Sequence, residues 1–393
     1  MSVLNEMVSV TAMNLRSVPQ RLGSSSVIVI GIAGVVAVIL SVFGMTRSLQ
    51  GAVLATGSAE RAIVLRSGAT GEISSTLLVD AVATIKDAPG IARTADGKPA
   101  ATADFIAAVN LNRKEDGTRA GLIVRGVEPA AFAVRPEIRI VEGRAFTPGL
   151  RELVVGRSAL DEFEGLALGD EVALREGRWT VVGVFESGGD ANESSLMTDA
   201  ATLLSAYQRT AVNSVTVRLT SEAAYDAFKT ALTTNPTLSV SVDRETEFYR
   251  RESQEANEIF GIVGLAVGVF MSLGAIFAAL NTMYSAVSVR TREIATLRAI
   301  GFGAGGVVVS VLVEALGLAL LGAVVGAAIA WGLFNGNTVT LGGSVSSIVF
   351  RMQVTPGLIG VGMLLACAVG FVGGLLPAVR AARLPVATAL RAV

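Results

Sequence analysis

The apolar residues of this chain are gathered into four long blocks instead of being spread at the periods of a water-soluble core. Val27 to Met45 contains no charge, nor does Ile259 to Asn281; Val307 to Phe334 contains only Glu314, and Gly357 to Ala378 none. About 20 apolar residues cross a bilayer as a helix, so the blocks predict transmembrane helices over 27–45, 259–281, 307–334 and 357–378. The first block is too long for a signal-peptide core and follows 26 residues of leader (1–26), which reads as a retained signal anchor.

Between the first two blocks the period changes. Residues 46–258 alternate short apolar runs with glycine-containing turns, which is the pattern of strands and hairpins. "ELVVG" at 152–156, "EVAL" at 171–174 and "WTVVGVF" at 179–185 read as strands, with Glu176 and Gly177 turning the chain between the last two. "SVTVRL" (214–219), "SEAAYDAFKTAL" (221–232) and "LSVSV" (238–242) give the order strand, helix, strand. The charged run "TEFYRRESQEANE" places Glu247, Arg251 and Glu255 at i, i+4 spacing and predicts a solvated helical stalk leading into the second span. The fold class expected is therefore an α-helical integral membrane protein of four spans, with a mixed α+β extracytoplasmic domain inserted between spans one and two.

Composition agrees with a membrane chain, 51% hydrophobic and 17% charged. The arginines set its orientation. Arg16 and Arg21 lie in the leader, Arg290, Arg292 and Arg298 in the loop 282–306, and Arg380, Arg383 and Arg391 in the tail 379–393, whereas the opposing loop 335–356 holds only Arg351. The positive-inside bias places both termini and the 282–306 loop on the cytoplasmic side of the membrane. Arg47, Arg250 and Arg251 weaken that bias without reversing it.

A search for reaction chemistry returns absences. The chain has no histidine, which removes the commonest general base and metal ligand. Its single cysteine, Cys367, sits in the fourth block. No two acids share a span, and no glycine-rich loop ends in Gly-Lys-Ser/Thr. No catalytic, cofactor-binding or metal-binding residue is therefore assigned, and no nucleic-acid partner; if the chain uses ATP, another polypeptide hydrolyses it. Glu314 is the one acid inside a span, read as structural or as an ion-coupling group. Gly264 with Gly268, Gly322 with Gly326 and Gly370 with Gly374 are spaced for close helix contact.

One stretch does not fit a purely topogenic role. "SVRTREIATLRAIGF", 288–302, lays Arg290, Arg292, Glu293 and Arg298 over Ile294, Leu297 and Ile300. A loop held inside by charge alone needs no amphipathic order; a surface helix that docks on a cytoplasmic partner does. The candidate site is thus Arg290, Arg292, Glu293, Ile294, Leu297, Arg298 and Ile300, with Glu314 as the intramembrane acid.

These residues also carry a resemblance. "NTMYSAVSVRTREIATLRAIGFGAGGVVVSVLVEALGLALLG" (281–322) resembles the signature region of the MacB/FtsX/LolCE-type ABC transporter permeases, through Arg292-Glu293-Ile294, the 297–301 run and Glu314-Ala315. "LLPAVRAARLPVATALRAV" (375–393) is similar to that family's closing segment, "NLRSVPQRLGSS" (14–25) to its approach to the first span, and 151–189 to its periplasmic core domain. The resemblance implies a permease subunit without the fused ATPase of MacB, paired with a separate ABC ATPase, a second permease copy, membrane lipid and a periplasmic adaptor protein. It implies that 290–302 is a coupling helix seated on the ATPase, and that ATP-driven motion is passed to the outer domain to extract or export a substrate. Activation of a cell-envelope hydrolase and lipoprotein release are alternatives within the same family.

Overall fold

The computed structural model describes residues 22–175, 177–300, 303–342 and 347–383; the side chains at 22, 24, 255–260, 297, 341, 342 and 347 are not described. Two compact units are formed. One comprises Ile259–Asn337 with the described parts of Met1–Thr46 and Met352–Val393, and the other Arg47–Glu258 with Thr338–Arg351.

The first unit is helical. Helix α1 (Leu22–Ala55) supplies the first span; the spans of α7 (Glu245–Val289), α9 (Ala304–Phe334) and α10 (Pro356–Ala382) follow, and the short α8 (Thr291–Ala299) lies between α7 and α9. Four of these are long and apolar enough to cross a membrane, over Ser25–Ala55, Gly261–Val289, Ala304–Phe334 and Pro356–Ala382. Large aliphatic and aromatic side chains such as Ile30, Ile262, Phe270, Phe277 and Leu364 point outward, a surface suited to lipid and not to water.

Small residues let these helices approach. A Cβ on Gly322 would lie 2.9 Å from the Val29 carbonyl oxygen, and one on Gly326 would overlap the carbonyl of Ala33, so α9 meets the backbone of α1 directly. Gly370 and Gly374 of α10 face Ala319 and Ala315 of α9, and Gly264 and Gly268 of α7 face Val42 and Ile39 of α1. All three glycine pairs singled out by spacing thus sit at helix crossings. Helix α10 is started by Thr355, whose hydroxyl accepts from the Leu358 amide, with Pro356 supplying a pre-set φ at the first helical position.

The helices run past the charge-free blocks. α1 continues to Ala55 and α7 begins at Glu245, because polar residues tolerated in a hydrated helix do not break it. In the first turns of α7, Arg250 pairs with Glu247 while Arg251 reaches Asp243 at 2.8 Å, so Glu247 is held at i, i+3.

The second unit is a mixed α+β domain. Its strands are β1 (Arg61–Arg66), β2 (Leu77–Leu78), β3 (Ala101–Asn112), β4 (Arg119–Val127), β5 (Arg139–Gly143), β6 (Glu152–Gly156), β7 (Glu171–Ala173), β8 (Arg178–Glu186), β9 (Ser195–Asp199), β10 (Ala211–Val212), β11 (Ser214–Arg218), β12 (Val240–Arg244), β13 (Thr338–Gly342) and β14 (Ser347–Arg351). Helices α2 (Val79–Lys86), α3 (Ala131–Val134), α4 (Arg157–Glu162), α5 (Ala200–Ala206) and α6 (Ala224–Thr233) connect them.

The main sheet runs β12-β1-β11-β3-β4-β9-β6-β8-β5, with β7 also on β8. Strands β11 and β12 both pair antiparallel with β1 and so run parallel to each other. The expected strand-helix-strand unit exists, but β1 is inserted between its two strands. Strand β3 is long enough to serve two cores: Ala101 and Ala103 join Val215, Phe228 and Leu232 under α6, while Phe105 and Ala107 join Leu122, Leu153 and Trp179. The external loop expected at 335–356 contains the β13–β14 hairpin, which belongs to this unit. Val349 of β14 is buried there, its amide donating to Ser194 Oγ at 2.9 Å and its carbonyl accepting from the same hydroxyl at 2.9 Å.

Candidate functional site

Arg292, Glu293 and Ile300 of the amphipathic stretch are exposed, Arg298 is half-buried, and Ile294 is buried with Ala295 against the helical core. The side chain of Leu297 and residues Gly301 and Phe302 lie outside the described ones. Arg290 differs from its neighbours. It occupies the break between α7 and α8, with φ −96° and ψ 8°, and its side chain turns inward.

That inward turn meets Glu314. Arg290 Nη1 donates to Glu314 Oε2 at 3.2 Å, and the two residues are only 5% and 6% exposed. An isolated charge in such surroundings is costly, and the pair offsets that cost. Arg298 Nη1 donates to the Ala382 carbonyl at 2.8 Å near the end of α10, satisfying one of that helix's last backbone acceptors. The Arg380 guanidinium lies 5.4 Å from the Tyr284 ring centroid, joining α10 to α7. Helix α8 is thus tied to α9 through the residue before it and to α10 through its last turn. The arginines at 290 and 298 fasten it, while Arg292, Glu293 and Thr296 form its open face.

A second charged constellation, which the sequence reading did not select, lies inside the outer domain. Arg125 of β4 donates to Glu72 in bidentate fashion, at 2.8 and 2.7 Å, and to Asp104 Oδ2 at 3.1 Å. Arg135 donates to the same Asp104 oxygen at 3.1 Å and to Thr216 Oγ1 at 2.9 Å, and its Nε lies 3.8 Å from Glu245 Oε1. Glu245, the first residue of α7, also binds Arg61, whose Nη1 reaches Glu137 at 2.6 Å. Thr102 and Ser214 donate to Asp104 and Glu72, each at 2.7 Å. Burial alone would raise the Glu72 carboxyl, but the charge and hydrogen bonds of Arg125, with the Ser214 hydroxyl, hold it down at about 2. The network fixes the first turn of α7 to β1, and through Arg135 to β3 and β11.

Neither constellation is arranged for covalent chemistry. Among the described residues no group of three or more His, Cys, Asp or Glu side chains could hold a metal ion.

Comparison with known proteins places both units. The family described as MacB-like periplasmic core domain matches residues 24–235, and that described as FtsX-like permease C-terminal matches 265–386. No curated protein matches. Among solved structures, the periplasmic region of MacB from Actinobacillus actinomycetemcomitans is similar at 15% identity, covering 51% of this chain and 94% of that one, with a TM-score of 0.38. The extracellular domain of the noncanonic ABC-type transporter YknZ from Gram-positive bacteria is similar at 14% identity, covering 47% of this chain and 99% of that one, with a TM-score of 0.36. With a core-domain match that spans more than half of its length and a permease match over its last three spans, this chain belongs to the MacB/FtsX-type permeases of ABC transporters.

Proposed function

We propose that the chain is the permease subunit of an ABC transporter whose ATPase is a separate polypeptide, and that α8 is the surface on which the ATPase docks. The observation that carries this reading is the division of labour along one short segment. Arg290 and Arg298 are spent on fastening α8 to α9 and α10, leaving Arg292, Glu293 and Thr296 exposed on a helix between two spans. A load applied to that face would be passed to α9 and α10 instead of being absorbed by a loose loop.

In this reading two permease copies sit on two ATPase subunits in a bacterial inner membrane, with both termini and α8 in the cytoplasm. Closure of the ATPase dimer on ATP draws the two α8 helices together. The displacement travels along α1 and α7, and the outer domain moves with the first turn of α7. Work is thus done on a substrate, and with an adaptor protein, on the outer side. The continuity of α7 from Glu245 and the ion pairs that hold Glu245 support that route.

Co-expression with an ABC ATPase subunit that co-purifies with the chain tests the docking surface. Exchanging the charges, Arg292→Glu with Glu293→Arg, is expected to lower ATPase co-purification and permease-stimulated ATP hydrolysis on the order of tenfold, whereas Arg292→Lys retains both. Unchanged association and stimulation in the charge-exchanged protein would exclude α8 as the contact.

A further inference from the structure

The outer domain contains a cavity of about 490 Å³, within the range of roughly 300–1,000 Å³ that suits small-molecule sites. All its lining residues belong to that unit. Aliphatic side chains make up much of the wall: Leu49 and Val53 from the end of α1, Ile106 from β3, Ile123 from β4 and Ile348 from β14. Ile73, in the segment before β2, lines it too and is 56% exposed, so one side of the cavity meets solvent.

The polar side of the wall is formed by Glu72, Arg125, Tyr249 and Glu252, with the Asn192 amide and the hydroxyls of Thr56, Thr70, Ser74, Ser194, Ser195 and Ser253. Glu252 is partnered, and the hydroxyls at 56, 74, 194, 195 and 253 donate to backbone carbonyls. Charge there is already matched. Arg125 is bound to two carboxylates, and Glu72 accepts from Arg125 and Ser214, so neither an anion nor a cation finds an open counter-charge in that pair. Tyr249 is different. It is only 6% exposed, its ring packs edge-on against Phe248, and its hydroxyl forms no hydrogen bond among the described residues. Burial, followed by the negative charges of Glu72 and Glu245, pushes that hydroxyl well above its ordinary pKa, so it keeps its proton and stays a donor. Its oxygen is not sealed within the protein, so it reaches the cavity that Tyr249 lines.

We propose that this cavity binds an uncharged amphiphile, with an alkyl or alicyclic body against the Leu49, Val53, Ile106 and Ile123 wall and a carbonyl, ether or hydroxyl oxygen accepting from Tyr249. A mixed wall whose other hydroxyls mostly donate within the protein, and whose Tyr249 hydroxyl does not, selects by shape and by the position of an acceptor oxygen, not by charge. Such a molecule can come from the surrounding lipid or from solution. Neither ATP nor a partner chain is needed for binding, so the outcome is independent of how α8 is read.

The test uses the full chain in phosphatidylcholine nanodiscs with two photoactivatable probes: a diazirine monolauroylglycerol added from solution, and a diazirine diacylglycerol built into the disc. Labelled peptides are mapped by mass spectrometry, with unlabelled monolauroylglycerol, laurate and dodecyltrimethylammonium as competitors. Label from one or both probes is expected on peptides containing 49–56, 70–74, 106, 123 or 348, and which probe labels identifies the source. Monolauroylglycerol is expected to compete at about tenfold lower concentration than either charged amphiphile, and Tyr249→Phe to weaken labelling about five- to tenfold. Filling the cavity with Ile123→Trp, or with Ile73→Trp on the solvent side if the first variant does not fold, abolishes it. Label confined to the membrane helices, equal competition by laurate, or labelling unchanged in both the Tyr249→Phe and the cavity-filling variants would overturn the proposal.

Discussion

The two units bury charge in opposite ways. In the helical unit the buried pair of Arg290 with Glu314 links the entry to α8 with α9, and Arg290 also lies 4.0 Å from the exposed Glu293. In the outer domain, Arg61, Arg125, Arg135, Glu72, Asp104, Glu137 and Glu245 share partners, and the Thr102 and Ser214 hydroxyls donate to Asp104 and Glu72. The difference is instructive because the costs differ. A network keeps most of its bonds when one distant member shifts, so it holds a shape. A pair that joins two helices directly loses that link when either member is removed.

The two tryptophans allow each half of this contrast to be read separately. Trp179 is wholly buried in the outer domain and Trp331 lies in α9, so single-tryptophan variants report one unit at a time. The largest effect is expected from Glu245→Ala. It leaves Arg135 and Arg61 short of a buried partner and should cost about 3–5 kcal/mol of outer-domain stability, seen in Trp179 fluorescence with Trp331 replaced. Next, Arg290→Leu removes a buried charged partner of Glu314 and should destabilise the helical unit by about 3 kcal/mol, while Arg290→Leu with Glu314→Leu recovers most of the loss. A double variant as unstable as the single one would show that the pair is not what matters at that joint.

Acid should separate the units further. The Glu72 carboxyl is held at about 2 in the fold, against an ordinary value of 4.5, so the unfolded chain takes up its proton first. Its stabilising contribution is complete above pH 4.5 and is lost as pH falls from there through about 2, a change of order 3 kcal/mol. Acid titration followed through Trp179 should show that loss, and Glu72→Gln should flatten it. The smallest expected change is Gly326→Ala. Its methyl would overlap the Ala33 carbonyl, force α9 away from α1 and cost about 1–3 kcal/mol, visible through Trp331 and not through Trp179.

Much of this organisation is legible in the sequence, and the exceptions share a cause. Block length alone finds the four spans, apolar runs bounded by glycine-containing turns find β6 and β8, and the alternating "SVTVRL" finds β11. The same alternation misleads in "ATAD" and "SVTV": Thr102, Asp104, Ser214 and Thr216 occupy every second position and read as a solvent face, yet all four are buried. Their partners are remote in the chain. Arg125 and Glu72 are 53 residues apart, and Arg61 and Glu245 are 184 apart. Local periodicity cannot show that two such segments will meet. Arg290 is missed for a nearer reason. Its position at i, i+4 and i+7 with Ile294 and Leu297 sets it on the apolar side, opposite Arg292, but counting it with the other arginines by charge alone turns it outward. Its partner Glu314 lies 24 residues on.

The most direct test of the proposed docking is whether an ABC ATPase touches this chain at α8. With Cys367→Ala as background, Thr296→Cys on the open face of α8 and Ala191→Cys in the outer domain are each labelled with benzophenone maleimide and illuminated in membranes holding the co-expressed ATPase. An adduct between the ATPase and position 296, strengthened by ATP and absent at position 191, is the expected result. Permease-stimulated ATP hydrolysis with no adduct at 296 would contradict it.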